Sequence, residues 1–215
     1  MLEELAGELK EIGKGGESKS EGDDPIVRVM DVSDPDAARD GLAAMIAELG
    51  GADVIVISAG TGHLNPGLDW PPEADTIAVN VTGFTALAGA AMRHFIEVGR
   101  GHLVGISSIA ALRGAAAAPA YNASKAFESN YLQGLRQKAA QLKLPITVTD
   151  IQPGLVDTAM AQGEGLFWVQ PPAKAAAQIM DAIERKRSHA YVTRRWRLFA
   201  RLLKLLPDFI YHRLN

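Results

Sequence analysis

The chain has 215 residues, enough for one domain with a sizeable core, and 47% of them are hydrophobic, the balance of a water-soluble globular protein. It has no apolar run of about 18 residues and so no candidate membrane span; it has no cysteine, which excludes a disulfide framework or thiolate metal site and fits a cytoplasmic chain. The net charge of -3 conceals an asymmetry: between Glu184 and Asn215 nine Lys or Arg stand against two acids, so this tail carries +7 and the remainder -10.

The opening Met-Leu-Glu-Glu-Leu is acidic, unlike a secretory leader. Leu2 to Ile12 has apolar residues at 2, 5, 9 and 12, which predicts an amphipathic helix, and Gly13 to Asp24 reads as a polar loop. Ile26 to Val32 alternates apolar and polar positions and predicts a strand ending in acid. Ser33 or Asp34 can cap a helix over Pro35 to Leu49, stopped by Gly50 and Gly51. Val54 to Ile57 is continuously apolar, as in a strand buried on both faces. It runs straight into Ser58-Ala59-Gly60-Thr61-Gly62. Small residues there allow a ligand to approach the backbone, and they suit a ligand-free tight turn equally well. A long helix is predicted from about Pro72 to Val98. Asn80 lies inside it, where asparagine is mildly unfavourable and ordinarily faces solvent or bonds its own backbone.

The stretch from Gly101 to Lys125 organises the rest. His102 to Ile106 is a short apolar strand closed by two hydroxyls, Ser107 and Ser108. Pro119 suits a first helical position, so Tyr121 and Lys125, four residues apart, share a face of the helix that follows and reaches Leu142. A phenol ordinarily titrates near 10; a neighbouring cation favours the phenolate and makes the group a usable acid or base. A hydroxyl at the preceding strand end, that of Ser108, can hold the same substrate oxygen. Tyr and Lys at this spacing alone more often mark a solvated face. Ile146 to Ile151 is another buried strand, ending in Gln152-Pro153-Gly154-Leu155-Val156-Asp157-Thr158, ordinarily just a turn. Ala173 to Arg187 is a helix and Ala190 to Thr193 a last short strand. The five histidines show no ligand spacing, and no metal site is expected.

In Ser108, Tyr121-x-x-x-Lys125 thirteen positions on, Asn80, Ala59-Gly60 and Pro153-Gly154-x-Val156-x-Thr158, the sequence resembles the short-chain dehydrogenase/reductase family. The resemblance implies an α/β fold, a Rossmann-like doubly wound parallel sheet with helices on both faces. It implies an NAD(P)-dependent oxidoreductase moving hydride between a nicotinamide cofactor, NADP or NAD, and a small carbonyl or secondary alcohol. Tyr121 would be the general acid/base, Lys125 its electrostatic partner and ribose ligand, Ser108 the substrate-oxygen ligand, and Asn80 the residue that kinks its helix and orders a proton relay. Asp31 and Val32 would border the adenine pocket, and Ser58, Ala59 and Gly60 the adenosine; here Ser58 replaces the family's asparagine. Pro153, Gly154 and Val156 would offer backbone to the carboxamide, and Thr158 would contact the phosphates. Between Ala161 and Pro172, where the family has a substrate-covering segment, Phe167 and Trp168 are candidates for the substrate wall; they could equally pack on the core. The family also implies a homo-oligomer.

No G-x-x-x-G-x-G stands before Asp31. If Ile26 to Val32 is the family's third strand, the fold is truncated at its N-terminus, with two central strands and the phosphate cradle absent. The chain is then expected to be a fragment of a longer product, or its third strand moves beside the fourth. We divide it into an incomplete catalytic domain at 1–193 and a basic amphipathic tail at 194–215. Arg194, Arg197, Arg201 and Lys204 cluster on one side of that tail, and Trp196, Phe199, Leu202, Leu203 and Leu206 on the other. This suits a helix packed on its own domain or on a second subunit, the preferred reading, and also a peripheral membrane contact. Nucleic acid is not an expected partner. The alternative to an enzyme is a non-catalytic scaffold of this fold that binds a membrane or a partner.

Overall fold

The computed structural model describes residues 25–158, 168–193 and 195–213. The helix expected over Leu2 to Ile12 lies outside them. Four strands, β1 (Val54–Ile57), β2 (Gly101–Ile106), β3 (Ile146–Pro153) and β4 (His189–Val192), form one parallel sheet in the order β1-β2-β3-β4. The register sets Val54 beside His102, Gly101 beside Ile146 and Asp150 beside His189. All the carboxyl ends therefore open on one edge, the edge at which doubly wound sheets bind ligands.

Helices cover both faces. On one lie α1 (Pro35–Glu48), a long helix made of α2 (Trp70–Ile77), a π segment (Ala78–Gly83) and α3 (Phe84–Val98), and α4 (Pro119–Leu142); α5 (Pro172–Glu184) lies on the other. Asp34 caps α1 by accepting from the amides of Asp36 and Ala37. The first core joins Ile55, Ile57, Leu103 and Val148 to Phe84, Phe95 and Leu132, and each such side chain contributes about 1.5 to 3 kcal/mol on burial. Val104, Ile151 and Val192 meet Ala175 and Ala182 on the other side. The sheet, the Pro119 helix start and the interruption at Asn80 agree with the sequence reading.

One element does not. Ile26 to Val32 forms no strand. Among the described residues no strand lies along the free edge of β1, so this segment has no ladder to join, and alternation alone cannot make a strand. It runs along the helical layer instead: the Met30 methyl presses on Gly41, Arg28 pairs with Glu48, and a Cβ at Gly83 would meet the Val32 carbonyl oxygen at 2.1 Å. Nor is β1 buried on both faces, as its continuous apolar run suggested: with its free edge and outer face uncovered among the described residues, Val54 and Val56 each remain 47% exposed. The alternative in which Ile26 to Val32 moves beside β1 and closes the gap is therefore not observed.

The tail folds as α6 (Trp196–Leu205) and α7 (Asp208–Tyr211). Trp196 and Ala200 are buried against the body. Arg113 holds the helix ends through the carbonyls of Leu203 and Leu206, an ion pair to Asp208 at 2.6 Å, and the Tyr211 ring 4.9 Å away. A helix packed on its own domain is thus observed for one face.

Candidate active site

At the carboxyl edge the loop after β1, the end of β2, the start of α4 and the π segment converge. Lys125 is only 4% exposed. Its ammonium donates to both carboxylate oxygens of Glu128, at 2.9 and 3.0 Å, and to the Ile106 carbonyl at 3.3 Å, and it stands 5.9 Å from the centroid of the Tyr121 ring. The helical spacing of Tyr121 and Lys125 puts the two on one side of α4, as expected.

The loop after β1 closes over this pair. A Cβ at Gly60 would lie 3.1 Å from Lys125 Nζ and 3.4 Å from Asn80 Oδ1; one at Gly62 would lie 2.6 Å from a Tyr121 ring carbon. Close approach of the backbone therefore explains the small residues. Asn80 is fully buried. Its carboxamide accepts from the Thr61 amide at 2.9 Å and donates to the Thr61 carbonyl at 2.8 Å and the Ser124 hydroxyl at 2.9 Å. It thus ties the loop to the helix that carries Tyr121 and Lys125. The π segment around it (Ala78–Gly83) is where the helix departs from regular geometry, a form that recurs at functional sites.

Ser108 caps the short turn Ile109–Leu112, its hydroxyl accepting from the Ala110 amide at 3.1 Å. Asn122, next to Tyr121, donates to the carbonyls of Ala110 at 3.1 Å and Arg113 at 2.8 Å. The turn begun by Ser108 and the helix begun at Pro119 are thereby fastened together. Ser107, by contrast, is buried and turns inward, donating to Asp150 at 2.5 Å.

Two buried acids escaped the sequence reading. Glu128 has no exposed surface and Asp150 only 2%. Burial pushes the Glu128 carboxyl up to about 7, against the opposing pull of the Lys125 charge and hydrogen bonds and with a smaller push from the charge of Asp150. Asp150 also accepts from Ser129 at 2.5 Å and Gln152 at 3.1 Å, and faces His189 Nε2 at 3.9 Å. Burial holds His189 below its ordinary range, with Asp150 opposing. The signal for Glu128 was its place three residues beyond Lys125, and for Asp150 an acid inside an otherwise apolar strand.

The remaining predicted residues are more dispersed. Asp31 is exposed and accepts from the hydroxyl and amide of Ser33, bonds that hold its carboxyl below the usual range; this is the ordinary turn-forming role of an acid before a helix. Val32 is half-buried against Gly83, and Ser58 and Ala59 are exposed. Gly154 bears the Trp196 indole, which a Cβ there would meet at 2.0 Å. Val156 bridges Gln170, and the Thr158 hydroxyl donates to the Val156 carbonyl at 3.3 Å. The rings of Trp168 and Trp196 meet nearly at right angles, their centroids 5.6 Å apart. Phe167 lies outside the described residues.

Comparison with known proteins agrees with this architecture. Residues 4–166 match the profile of short chain dehydrogenases. An uncharacterized oxidoreductase of Myxococcus xanthus is 35% identical over 188 residues, 83% of this chain and 72% of that protein. Another, from Mycobacterium tuberculosis, is 32% identical over 187 residues, 84% and 73% of the respective lengths. Among solved structures, the apo form of LigD from Sphingobium matches with a TM-score of 0.76 at 21% identity, over 100% of this chain and 82% of that one. ElxO with NADP bound matches with a TM-score of 0.56 at 24% identity, over 62% and 54%. The chain belongs to the short-chain dehydrogenase family. It is an oxidoreductase of that type, and its cofactor class is the nicotinamide dinucleotides.

Proposed function

We propose that the chain reduces a carbonyl, or oxidises the corresponding secondary alcohol, with Tyr121 as general acid/base. The observation that carries this reading is the buried Lys125 ammonium beside the Tyr121 ring, with the Gly60 to Gly62 backbone against both. A dinucleotide fits the residues of this edge: two glycines leave the loop free of side chains toward Lys125 and Tyr121, and the Lys125 ammonium, once turned from Glu128, would donate to sugar hydroxyls. When bound it supplies or accepts the hydride. Lys125 would hold the ribose beside the phenol, Ser108 would hold the substrate oxygen, and Asn80 would keep loop and helix in register. Asp31, Val32, Ser58 and Ala59 on the adenosine side, and Pro153, Gly154, Val156 and Thr158 on the carboxamide and phosphate side, complete the proposed contacts, with Phe167 and Trp168 toward the substrate. NADP, the ligand of ElxO, and NAD are both to be tried. The test is oxidation of NADPH or NADH by a broad panel of ketones and aldehydes: turnover lost in Tyr121→Phe supports the reading, and cofactor binding without turnover on any substrate refutes it.

We assign this chemistry to residues 1–193 and a peripheral membrane contact, at the cytoplasmic face, to 194–215. No helix among the described residues is long and apolar enough to cross a membrane. On the outer side of α6 and α7, however, Leu198, Leu202, Leu205 and Phe209 are 60 to 80% exposed. Arg195, Arg197 and Lys204 are exposed around them. Leucines flanked by cations fit an anionic lipid surface, where each basic residue contributes about 1 kcal/mol. Flotation with phosphatidylserine vesicles, abolished in Leu198→Asp/Leu202→Asp, supports this. Failure to float, together with a dimer that the same variant dissociates, would give the stripe to a second copy instead.

A further inference from the structure

A buried ammonium demands a counter-charge, and here Glu128 supplies it from one turn further along the same helix. The pair is almost without solvent, with side chains 5% and 0% exposed. Glu128 takes the cation with both oxygens, and every hydrogen that Lys125 gives to Glu128 is one withheld from a ligand in front of Gly60. We propose that Glu128 is a positioning residue that competes for Lys125: ionised, it draws the ammonium back into the protein, and protonated, it releases the ammonium toward the cofactor. This rests on the assignment of Lys125 to the cofactor crevice.

The surroundings favour such a switch. Lys125 faces Glu128 from α4, and the Asp150 charge reaches it from β3. Asp150 in turn is set by His189 of β4 and Arg136 of α4. β2 brings only the Ile106 carbonyl, and the loop from Ser58 to Gly62 brings no ionisable side chain. With its midpoint raised by burial to about 7, Glu128 changes charge in the range where an enzyme works. The neutral amide of Glu128→Gln reproduces the protonated state in shape and charge. It should therefore strengthen cofactor binding above the midpoint, whereas loss of a merely structural residue would weaken it.

The experiment measures the Kd of NADPH and of NADH by nucleotide fluorescence on the full chain. Between about pH 6 and about pH 8 the unaltered chain should lose roughly tenfold in affinity, the equivalent of about one unit of coupling. Glu128→Gln should hold the tighter value at both. A variant that binds more weakly at both, or that follows the unaltered chain, overturns the proposal. A second measurement needs neither cofactor nor that variant: with 13C-labelled glutamate, one carboxyl should titrate near 7, and its midpoint should rise by about one unit in Lys125→Met, where the opposing cation is gone. A midpoint indifferent to Lys125→Met overturns the coupling. If the carboxyl behaves as expected but neither nucleotide binds at any pH, the coupling stands and it is the cofactor reading that falls.

Discussion

Substituting Gly62 by alanine tests the geometry of the crevice more directly than removing any of its polar groups. The added Cβ would stand 2.6 and 2.9 Å from two carbons of the Tyr121 ring and 3.2 Å from a third, whereas ordinary contacts between carbons lie at about 3.5 to 4 Å. Gly62 is not in the left-handed region, so alanine brings no torsional penalty, and the strain falls on the ring. Half-buried at the mouth of the crevice, the ring relieves the clash by retreating about 1 Å. A displacement of that size at a reacting group costs on the order of a hundredfold in rate, or about 2.7 kcal/mol of barrier. Steady-state kinetics of nucleotide oxidation should show the loss mainly in kcat, because the ribose contact proposed for Lys125 is untouched, while thermal unfolding moves by only a few degrees. A folded Gly62→Ala chain with full kcat would refute the claim that the Tyr121 ring works from its place against this loop.

Glu128 also gives a stability signature. Its folded midpoint, about 7, lies above its ordinary 4.5, so the folded chain binds the extra proton and the group's contribution is complete below about 4.5 and lost as pH rises through 7. With about 1.4 kcal/mol per pH unit the whole contribution is about 3 kcal/mol, and between about pH 5 and about pH 8 the unfolding free energy from urea titrations should fall by roughly 2 to 3 kcal/mol more in the unaltered chain than in Glu128→Gln. Phe95→Ala, emptying a site with no exposed surface, should cost about 3 to 5 kcal/mol in urea unfolding. Arg113→Ala removes the contacts that seat the ends of α6 and α7 and should speed proteolysis of the tail while leaving the melting of the sheet nearly unchanged; equal protection of the tail would count against its being held there.

Much of this arrangement was legible because it is local. The interval from Pro119 to Lys125 fixes which side chains share a helical face, and apolar runs closed by hydroxyls fix where strands end. The kink at Asn80 came from the family resemblance rather than from the local pattern, and the structure has a π segment there. Glu128 and Asp150 were harder. Their significance depends on burial, and whether a carboxylate three residues from a lysine is solvated or locked away is decided by the sheet packed against it.

Ile26 to Val32 exposes the opposite limit. Its alternation satisfies the local requirement for a strand, but a strand is a relation between two segments, and the ladder it would need is missing among the described residues. The apolar positions then find the next available surface: Met30 settles over Gly41, and the Val32 carbonyl lies over Gly83. The latter contact leaves no room for a side chain, so Gly83→Ala should displace this segment. Gly83 closes the π segment that also holds Asn80, and Asn80 orders the loop over Lys125. A substitution in the helix, facing away from the crevice, should therefore loosen both the amino-terminal segment and the Thr61 amide, visible as faster hydrogen exchange at Thr61. Unchanged protection there would mean that Asn80 holds the loop independently of what packs behind it.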